Sequence, residues 1–174
     1  AARGLGKQIG EMLENIHAKG KEVAGKDVKE VRSKLKDIYG DHYNGEIDHF
    51  LMVLLDKADT DLTAILRRWE IDPARLLADL TKSLDRMKTG NARAPALSPD
   101  IVEMVKQGWL LASVEQGASR VRSGHLLWAL LADDMLARRA IGSSGLLAGI
   151  APDTLKADYL TICANTVETA QATT

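Results

Sequence analysis

The 174 residues fit one domain, or two small subdomains sharing a core, and are enough to bury a core without disulfide or metal staples. With 45% hydrophobic but only 4% aromatic residues, the core must rest on Leu, Ile, Val, Met and Ala, which suits helices better than strands. A formal net charge of −1 gives no general attraction for polyanions and argues against a nucleic-acid binder.

The helical signals come in regular order. Residues 5–18 set Leu5, Ile9, Met12, Leu13 and Ile16 on one stripe at helical spacing. Gly20 and Gly25 interrupt it. Asp27 then caps a second helix carrying Val28, Val31, Leu35 and Ile38, which stops near Gly40. After the polar loop 41–45, a third helix starts around Glu46 with Phe50, Leu51, Leu54 and Leu55. A fourth opens at Asp59 or Thr60 with Leu62, Ile65, Leu66 and Trp69. Asp72-Pro73 is a helix start with a mechanism: Asp accepts the orphan N–H groups, and Pro fits the first helical position because its missing N–H is not needed there. Leu76, Leu77, Leu80, Leu84 and Met87 follow. Residues 89–97, with Gly90 and Pro95, have no helical period and read as a linker.

Ser98-Pro99 restarts helix by the same capping logic. Ile101, Met104, Val105, Trp109, Leu110, Leu111 and Val114 share its stripe, which ends near Gly117. A further helix runs over about 123–131, a short turn surrounds Leu146 and Leu147, and Pro152 opens a last helix with Leu155, Tyr159, Leu160, Cys163 and Val167. Residues 170–174 read as a frayed end or outgoing linker. The opening Ala1-Ala2-Arg3 lacks Met, so the chain reads as a piece of something longer.

The two halves echo each other. Residues 46–55, EIDHFLMVLL, parallel residues 122–131, RSGHLLWALL, with His49 and His125 in register. Ile71-Asp72-Pro73 echoes Ile150-Ala151-Pro152. A repeat of this size points to duplication, with pseudo-twofold packing of two four-helix units and a seam between them.

A search for chemistry comes back nearly empty. There is no phosphate-binding Gly-x-x-x-x-Gly-Lys-Ser/Thr and no Gly-x-Ser-x-Gly nucleophile elbow. Ser123 and His125, two apart at a helix start, do not aim at one substrate atom, so no catalytic residue is assigned. Cys163 is the sole cysteine, which excludes a disulfide framework within one chain and suits a reducing compartment. His17, His42, His49 and His125 lack the tight i, i+3 or i+4 pairing that zinc sites use, so no metal is expected. His49 and His125 instead read as loop–helix junction residues bonded to backbone. Trp69, Trp109 and Trp128 lie on apolar stripes and read as core. The basic lean of residues 1–36 is interspersed with acids and reads as a solvated helix face. No apolar run approaches the roughly 20 residues that span a bilayer, and no signal-peptide core is visible.

The stripe at 5–18 lies outside both repeats. Leaving it wet would forfeit about 1.5–3 kcal/mol for each large side chain, so it packs on the domain or meets a partner. Laid beside the seam, it would form one wall of a groove for an amphipathic helix.

The double repeat resembles the N-terminal domains of Clp/Hsp100 AAA+ unfoldases, and within them the ClpV family of type VI secretion. The resemblance is carried by residues 42–51, by Asp59-Thr60-Asp61-Leu62 with Ile65-Leu66, by the Gly90-Asn91 linker with Pro95, by Ser98-Pro99, by residues 108–113, and by Arg122-Ser123-Gly124-His125-Leu126-Leu127. It covers about residues 26–165. Gly45, Asp48 and Phe50 depart mildly from the family pattern, and residues 1–25 do not align with it.

The resemblance implies an all-α fold: a double Clp-type N-domain repeat, two pseudo-twofold four-helix units plus an extra N-terminal helix. Its parts would be an amphipathic helix and connector at 1–25, a first repeat at 26–88, a linker at 89–98 and a second repeat at 99–170. The implied job is to dock a helical N-terminal peptide of the large sheath subunit in an apolar groove, so that a bacterial cytoplasmic hexamer can dismantle the contracted sheath. ATP and magnesium would belong to ATPase modules beyond this segment, which itself would need no cofactor, bind neither nucleic acid nor membrane, and be a monomer alone. The alternative is the N-domain of a general disaggregase or protease-linked unfoldase with varied clients or an adaptor.

Positions matching the family groove are Val105 and Leu111, with His125 beside them; the unpartnered stripe adds Ile9, Met12, Leu13 and Ile16. Residues 1–25 are either the family's groove helix, extended, or a tethered helical ligand.

Overall fold

The computed structural model describes residues 47–88 and 99–172. The stripe at 5–18, the helix at 28–38, the loop at 41–45, the linker at 89–98, His17 and His42 lie outside the described residues, as does the side chain of His49. Among the described residues the regular structure is all helical.

Helix α1 spans Ile47–Leu55 and buries Phe50, Leu51 and Leu54, a one-sided apolar face. Helix α2, Asp61–Arg68, starts where Thr60 folds its hydroxyl back to accept from the Thr63 N–H at 3.2 Å. Leu62, Ile65 and Leu66 are fully buried. Helix α3, Pro73–Lys88, begins as the Asp-Pro pair requires, with Asp72 Oδ1 accepting from the Ala74 N–H at 3.0 Å. Leu76, Leu80 and Leu84 are buried, but Leu77 is half out, because the buried stripe of α3 follows i, i+4 and i+8 and leaves its neighbour at the edge.

Helix α4, Pro99–Leu110, continues into a π-helical turn, Leu111–Glu115, closed by Gln116 N–H donating to the Leu111 carbonyl. This corrects the expectation that one α-helical stripe runs through Val114. The wider turn shifts the phase of the face, and Val114 stands 71% exposed.

Helix α5, Ser123–Ala132, is the centre of the molecule, with every residue from Ser123 to Leu131 buried. It packs on α2, on α4 and on the two helices that follow, α6 (Asp134–Ser143) and α7 (Pro152–Ile162). Its contact with α4 is close at Gly108, where a Cβ would stand 2.7 Å from Leu126 Cδ2.

Two further elements differ from the sequence reading. Helix α6 had no assigned counterpart, because just Leu136 and Ala140 are fully buried along it among charged and small neighbours. It is set by its cap, Asp133 Oδ1, which accepts from the Met135 and Leu136 N–H groups at 3.0 Å each. A 3-10 turn, Gly145–Gly149, follows and buries Leu147, as expected. The expected last helix is in fact two. Helix α7 stops at Ile162, Leu160 faces solvent, and a turn after Cys163 leads into α8, Val167–Ala172. Residues 170–172 therefore belong to a helix and not to a frayed end.

One core runs through both halves of the chain. Helices α1 and α3 pack against α6, and α2 packs against α5 and α7. Beside this apolar core, where α2, α5, α7 and α8 converge, lies a cluster of buried polar side chains.

A buried polar seam and the candidate peptide-binding wall

The cluster begins with Asp61 in the first turn of α2, fully buried. Its carboxylate accepts from Arg122 Nε at 2.8 Å and Arg122 Nη2 at 2.7 Å, a bidentate pair. It also accepts from the Tyr159 hydroxyl at 2.6 Å and from Thr166 Oγ1 at 2.7 Å. Four elements thus meet on one carboxylate: α2, the residue preceding α5, α7 and the turn before α8.

A second carboxylate, Glu168 on α8, sits at the start of two helices at once. It accepts from the Asp61 N–H at 2.6 Å and from the Ser123 N–H at 2.7 Å. Its third donor is the Ser123 hydroxyl at 2.6 Å, which in turn accepts from the Leu62 N–H at 3.3 Å. Helix N-termini carry unsatisfied N–H groups and partial positive charge, so one carboxyl group here satisfies α2 and α5 together. The Val167 N–H adds a bond of 2.9 Å to the Asp59 carbonyl. Asp59 holds a left-handed backbone, φ 57°, at this junction.

Electrostatics follow the geometry. Burial opposes the Arg122 charge, but the hydrogen bonds to Asp61 and the surrounding negative groups outweigh it and raise the guanidinium above its ordinary value. Burial, and next the Asp61 charge, push the Glu168 carboxyl up to about 7 against the pull of its Ser123 and backbone donors. Burial and then Asp61 likewise raise the Tyr159 phenol, and burial raises the Cys163 thiol, so neither is a ready nucleophile or base.

His125 belongs to this seam. It is fully buried, its Nδ1 accepts from the Arg122 N–H at 2.9 Å, and its Nε2 lies 2.7 Å from Gln116 Oε1. An accepting Nδ1 leaves the proton on Nε2, which donates to Gln116. The ring stacks on Tyr159, centroids 4.8 Å apart and 4° from parallel. It is the backbone-bonded junction histidine that its place in the repeat suggested. Gly124 admits this stack, since a Cβ there would stand 2.5 Å from the Tyr159 hydroxyl.

Of the groove residues named from the sequence, Val105 is fully buried on α4, Leu111 is half-buried at the start of the π turn, and His125 is inside the seam. Ile9, Met12, Leu13 and Ile16 lie outside the described residues. The exposed apolar surface nearest Leu111 in the chain is Val114, followed by Glu115, which pairs with Lys156 of α7 at 3.2 Å. Among the described residues no group of His, Cys, Asp and Glu is arranged to hold a metal ion, and no helix is long and apolar enough to cross a membrane.

Sequence reasoning missed Asp61, Tyr159, Thr166 and Glu168 as a unit. They come from separate segments, and a charged residue in the first turn of a helix ordinarily reads as a solvated, dipole-complementing group.

Among the described residues the domain is all helical, built round one buried helix and tied together by internal carboxylates. The family model of the Clp repeat N-terminal domain matches residues 38–141. The chain belongs to that family. Its curated relatives include the AAA+ ATPase ClpV1 of Pseudomonas aeruginosa, 36% identical over 110 residues and 63% of this chain. They also include the chaperone protein ClpB of Yersinia enterocolitica, 30% identical over 129 residues and 74% of this chain. The chain spans 12% and 14% of their respective lengths.

Among solved structures, a chain from work on the ATPase ClpV, the TssB–TssC sheath and the accessory HsiE protein of type VI secretion superposes with a TM-score of 0.67. It is 32% identical, covering 80% of this chain and 85% of that one. A ClpV N-domain in complex with a VipB peptide gives 0.58 at 23% identity, over 91% and 92% of the two chains, a likeness of fold. The all-α Clp-type fold and the ClpV-type resemblance read from the sequence agree with these findings.

Proposed function

We propose that this domain is the substrate-recognition part of a type VI secretion AAA+ unfoldase, docking a helical N-terminal peptide of the large sheath subunit so that the contracted sheath can be dismantled. The observation that carries the reading is the joint likeness to ClpV1 in sequence and to ClpV N-domains in structure, one of them solved with a peptide.

The surface fits such a role. The wall offered to the peptide is the C-terminal part of α4 with its π turn, presenting Leu111 and Val114, backed by Val105 and braced from inside by His125. Ile9, Met12, Leu13 and Ile16 supply the opposite wall. Apolar contacts give such a groove its affinity, while charges at the rim, Glu115 and Lys156, set orientation. Residues 26–88 and 99–170 form the two repeats, joined by a linker at 89–98. ATP and magnesium act in separate modules, in a cytoplasmic hexamer, and this domain alone is a monomer.

The test is a titration with a fluorescent peptide copying the N-terminal helix of the large sheath subunit from the same organism, against the whole chain and against a chain starting at Lys26. Saturable binding that weakens on truncation supports both walls. Binding by the shortened chain alone makes residues 1–25 a tethered occupant. No binding by either, at low and moderate salt, overturns the reading.

A further inference from the structure

Helix α8 packs Val167 partly against the core and is joined to α2 and α5 by a set of polar contacts. Glu168 accepts from the Asp61 and Ser123 N–H groups, Thr166 Oγ1 donates to Asp61, Arg122 Nη2 reaches Thr166 at 3.2 Å, and Val167 donates to Asp59. From that seam a continuous chain of bonds runs to the proposed peptide wall. Arg122, whose side chain grips Asp61, donates its backbone N–H to His125. The His125 ring holds Gln116, and the Gln116 N–H closes the π turn on the Leu111 carbonyl at 3.2 Å. Tyr159 completes the circuit, stacked on His125 and bonded to Asp61.

We propose that α8 is a clasp, and that its seating between α2 and α5 is energetically coupled to peptide docking on the wall formed by Leu111 and Val114. This rests on the peptide-binding reading above.

The physical case has two parts. First, α8 is seated through the bonds of Glu168, Thr166 and Val167 to the residues at the starts of α2 and α5, so these bonds form or break together as it docks or releases. Second, release removes the carboxyl shared by two helix starts and the hydroxyl partners of Arg122. That loosens the residue whose backbone N–H orients His125, and with it the Gln116 end of the π turn. A wall held in one shape binds with less ordering cost than a wall that must be fixed on binding. The clasped state is thus the better binder, and by linkage the bound peptide must favour the clasped state by the same factor.

The experiment is amide hydrogen exchange and peptide titration on the full chain. In the free protein the Asp61, Leu62, Ser123 and Val167 amides should exchange through a partial opening, faster than the core amides Leu66 and Leu130. Saturating sheath-subunit peptide should slow these clasp amides about tenfold, a typical coupling. Glu168→Ala should weaken peptide binding about fivefold or more and speed the clasp amides. Thr166→Val, a milder change, serves the same purpose if Glu168→Ala does not fold.

Clasp amides that open only with the whole protein, or whose exchange the peptide leaves unchanged, overturn the coupling while peptide binding itself stands. So does unaltered affinity in a variant with exposed clasp amides. A chain that binds no peptide at all overturns the functional reading, and this inference with it.

Discussion

Arg122 grips Asp61 with two parallel hydrogen bonds, 2.8 Å from Nε and 2.7 Å from Nη2, and so fastens the start of α5 to the start of α2. The side chains are 11% and 0% exposed. A desolvated pair of this kind is weak evidence for net stability when compared with an apolar replacement, but breaking it leaves an uncompensated buried charge. Arg122→Ala should therefore destabilise the domain by about 3–5 kcal/mol. The double variant Arg122→Ala/Asp61→Ala should cost less than the sum of the single ones. Urea unfolding of the four proteins checks this; strict additivity would mean the pair does not act as a unit.

The raised Glu168 carboxyl has a pH signature whose sign is opposite to that of an ordinary salt-bridged acid. Its folded value, about 7, lies above the ordinary carboxyl value of 4.5, so between these two the folded state holds a proton that the unfolded state has already lost. The contribution is fully present below about pH 4.5 and is lost as pH rises through about 7. Between pH 5 and 8 the wild-type Tm should fall relative to that of Glu168→Gln, which cannot titrate there. The variant should be less stable at every pH, since its amide NH₂ faces a backbone N–H that needs an acceptor. A constant gap in Tm across this range would show that the carboxyl does not titrate in the folded state.

Two glycines rank by what stands over them. A methyl group on Gly124 meets the Tyr159 ring and hydroxyl at 2.5–2.9 Å, and that ring is held by His125 and Asp61. At Gly108 the nearest atom is Leu126 Cδ2 at 2.7 Å, the far end of a flexible side chain. Gly124→Ala should cost about 1–3 kcal/mol as an overpacked site, and Gly108→Ala less. Thermal unfolding of the two variants tests the order, and a larger loss at Gly108 would mean that the α4–α5 contact is the stiffer one.

How far this was legible in the sequence depended on whether a feature was local. Thr60 as a cap, Pro73, Pro99 and Pro152 as first helical residues, and the buried faces of α1, α2 and α5 follow from spacing and from capping chemistry. The repeat register correctly placed His125 at a loop–helix junction. Helix α6 was missed because its buried face is just Leu136 and Ala140, too little apolar signal to register as a period. Val114 was put on the wrong face because a π turn leaves no mark in the apolar pattern. The seam was invisible for a different reason: Asp61, Arg122, Tyr159 and Glu168 are spread over more than a hundred positions, the Asp61–Glu168 contact alone spanning 107, and their meeting is a product of topology. For the candidate groove, the family resemblance pointed to Val105 and Leu111, of which Val105 is fully buried and Leu111 half-buried, because apolar spacing does not say which side of a stripe faces the core.

Glu70 offers a test of backbone strain. It follows the Trp69 cap of α2 with φ 55°, and the Ile71 N–H bonds back to the Leu66 carbonyl at 2.9 Å, the pattern in which a left-handed residue closes a helix. Glycine adopts that conformation without the Cβ clash. Glu70→Gly should thus be neutral to stabilising, by up to about 1 kcal/mol, even though Gly elsewhere in α2 would destabilise. A clear loss in urea unfolding would show that the Glu70 side chain makes a contact worth more than the strain.

Val114 separates stability from recognition. Its side chain is 71% exposed on the π turn, so Val114→Ser should change folding stability by less than about 0.5 kcal/mol. If the turn forms part of the peptide wall, the same change removes apolar area from the interface and should weaken binding of the sheath-subunit helix. Leu111→Ser is the informative contrast: Leu111 packs partly against the core, so it should lose both stability and affinity. Chemical unfolding and peptide titration on the two variants give four readings. A Val114→Ser protein with unchanged stability and unchanged affinity would move the docking surface away from the π turn, and would leave α4 as a buried support rather than a wall.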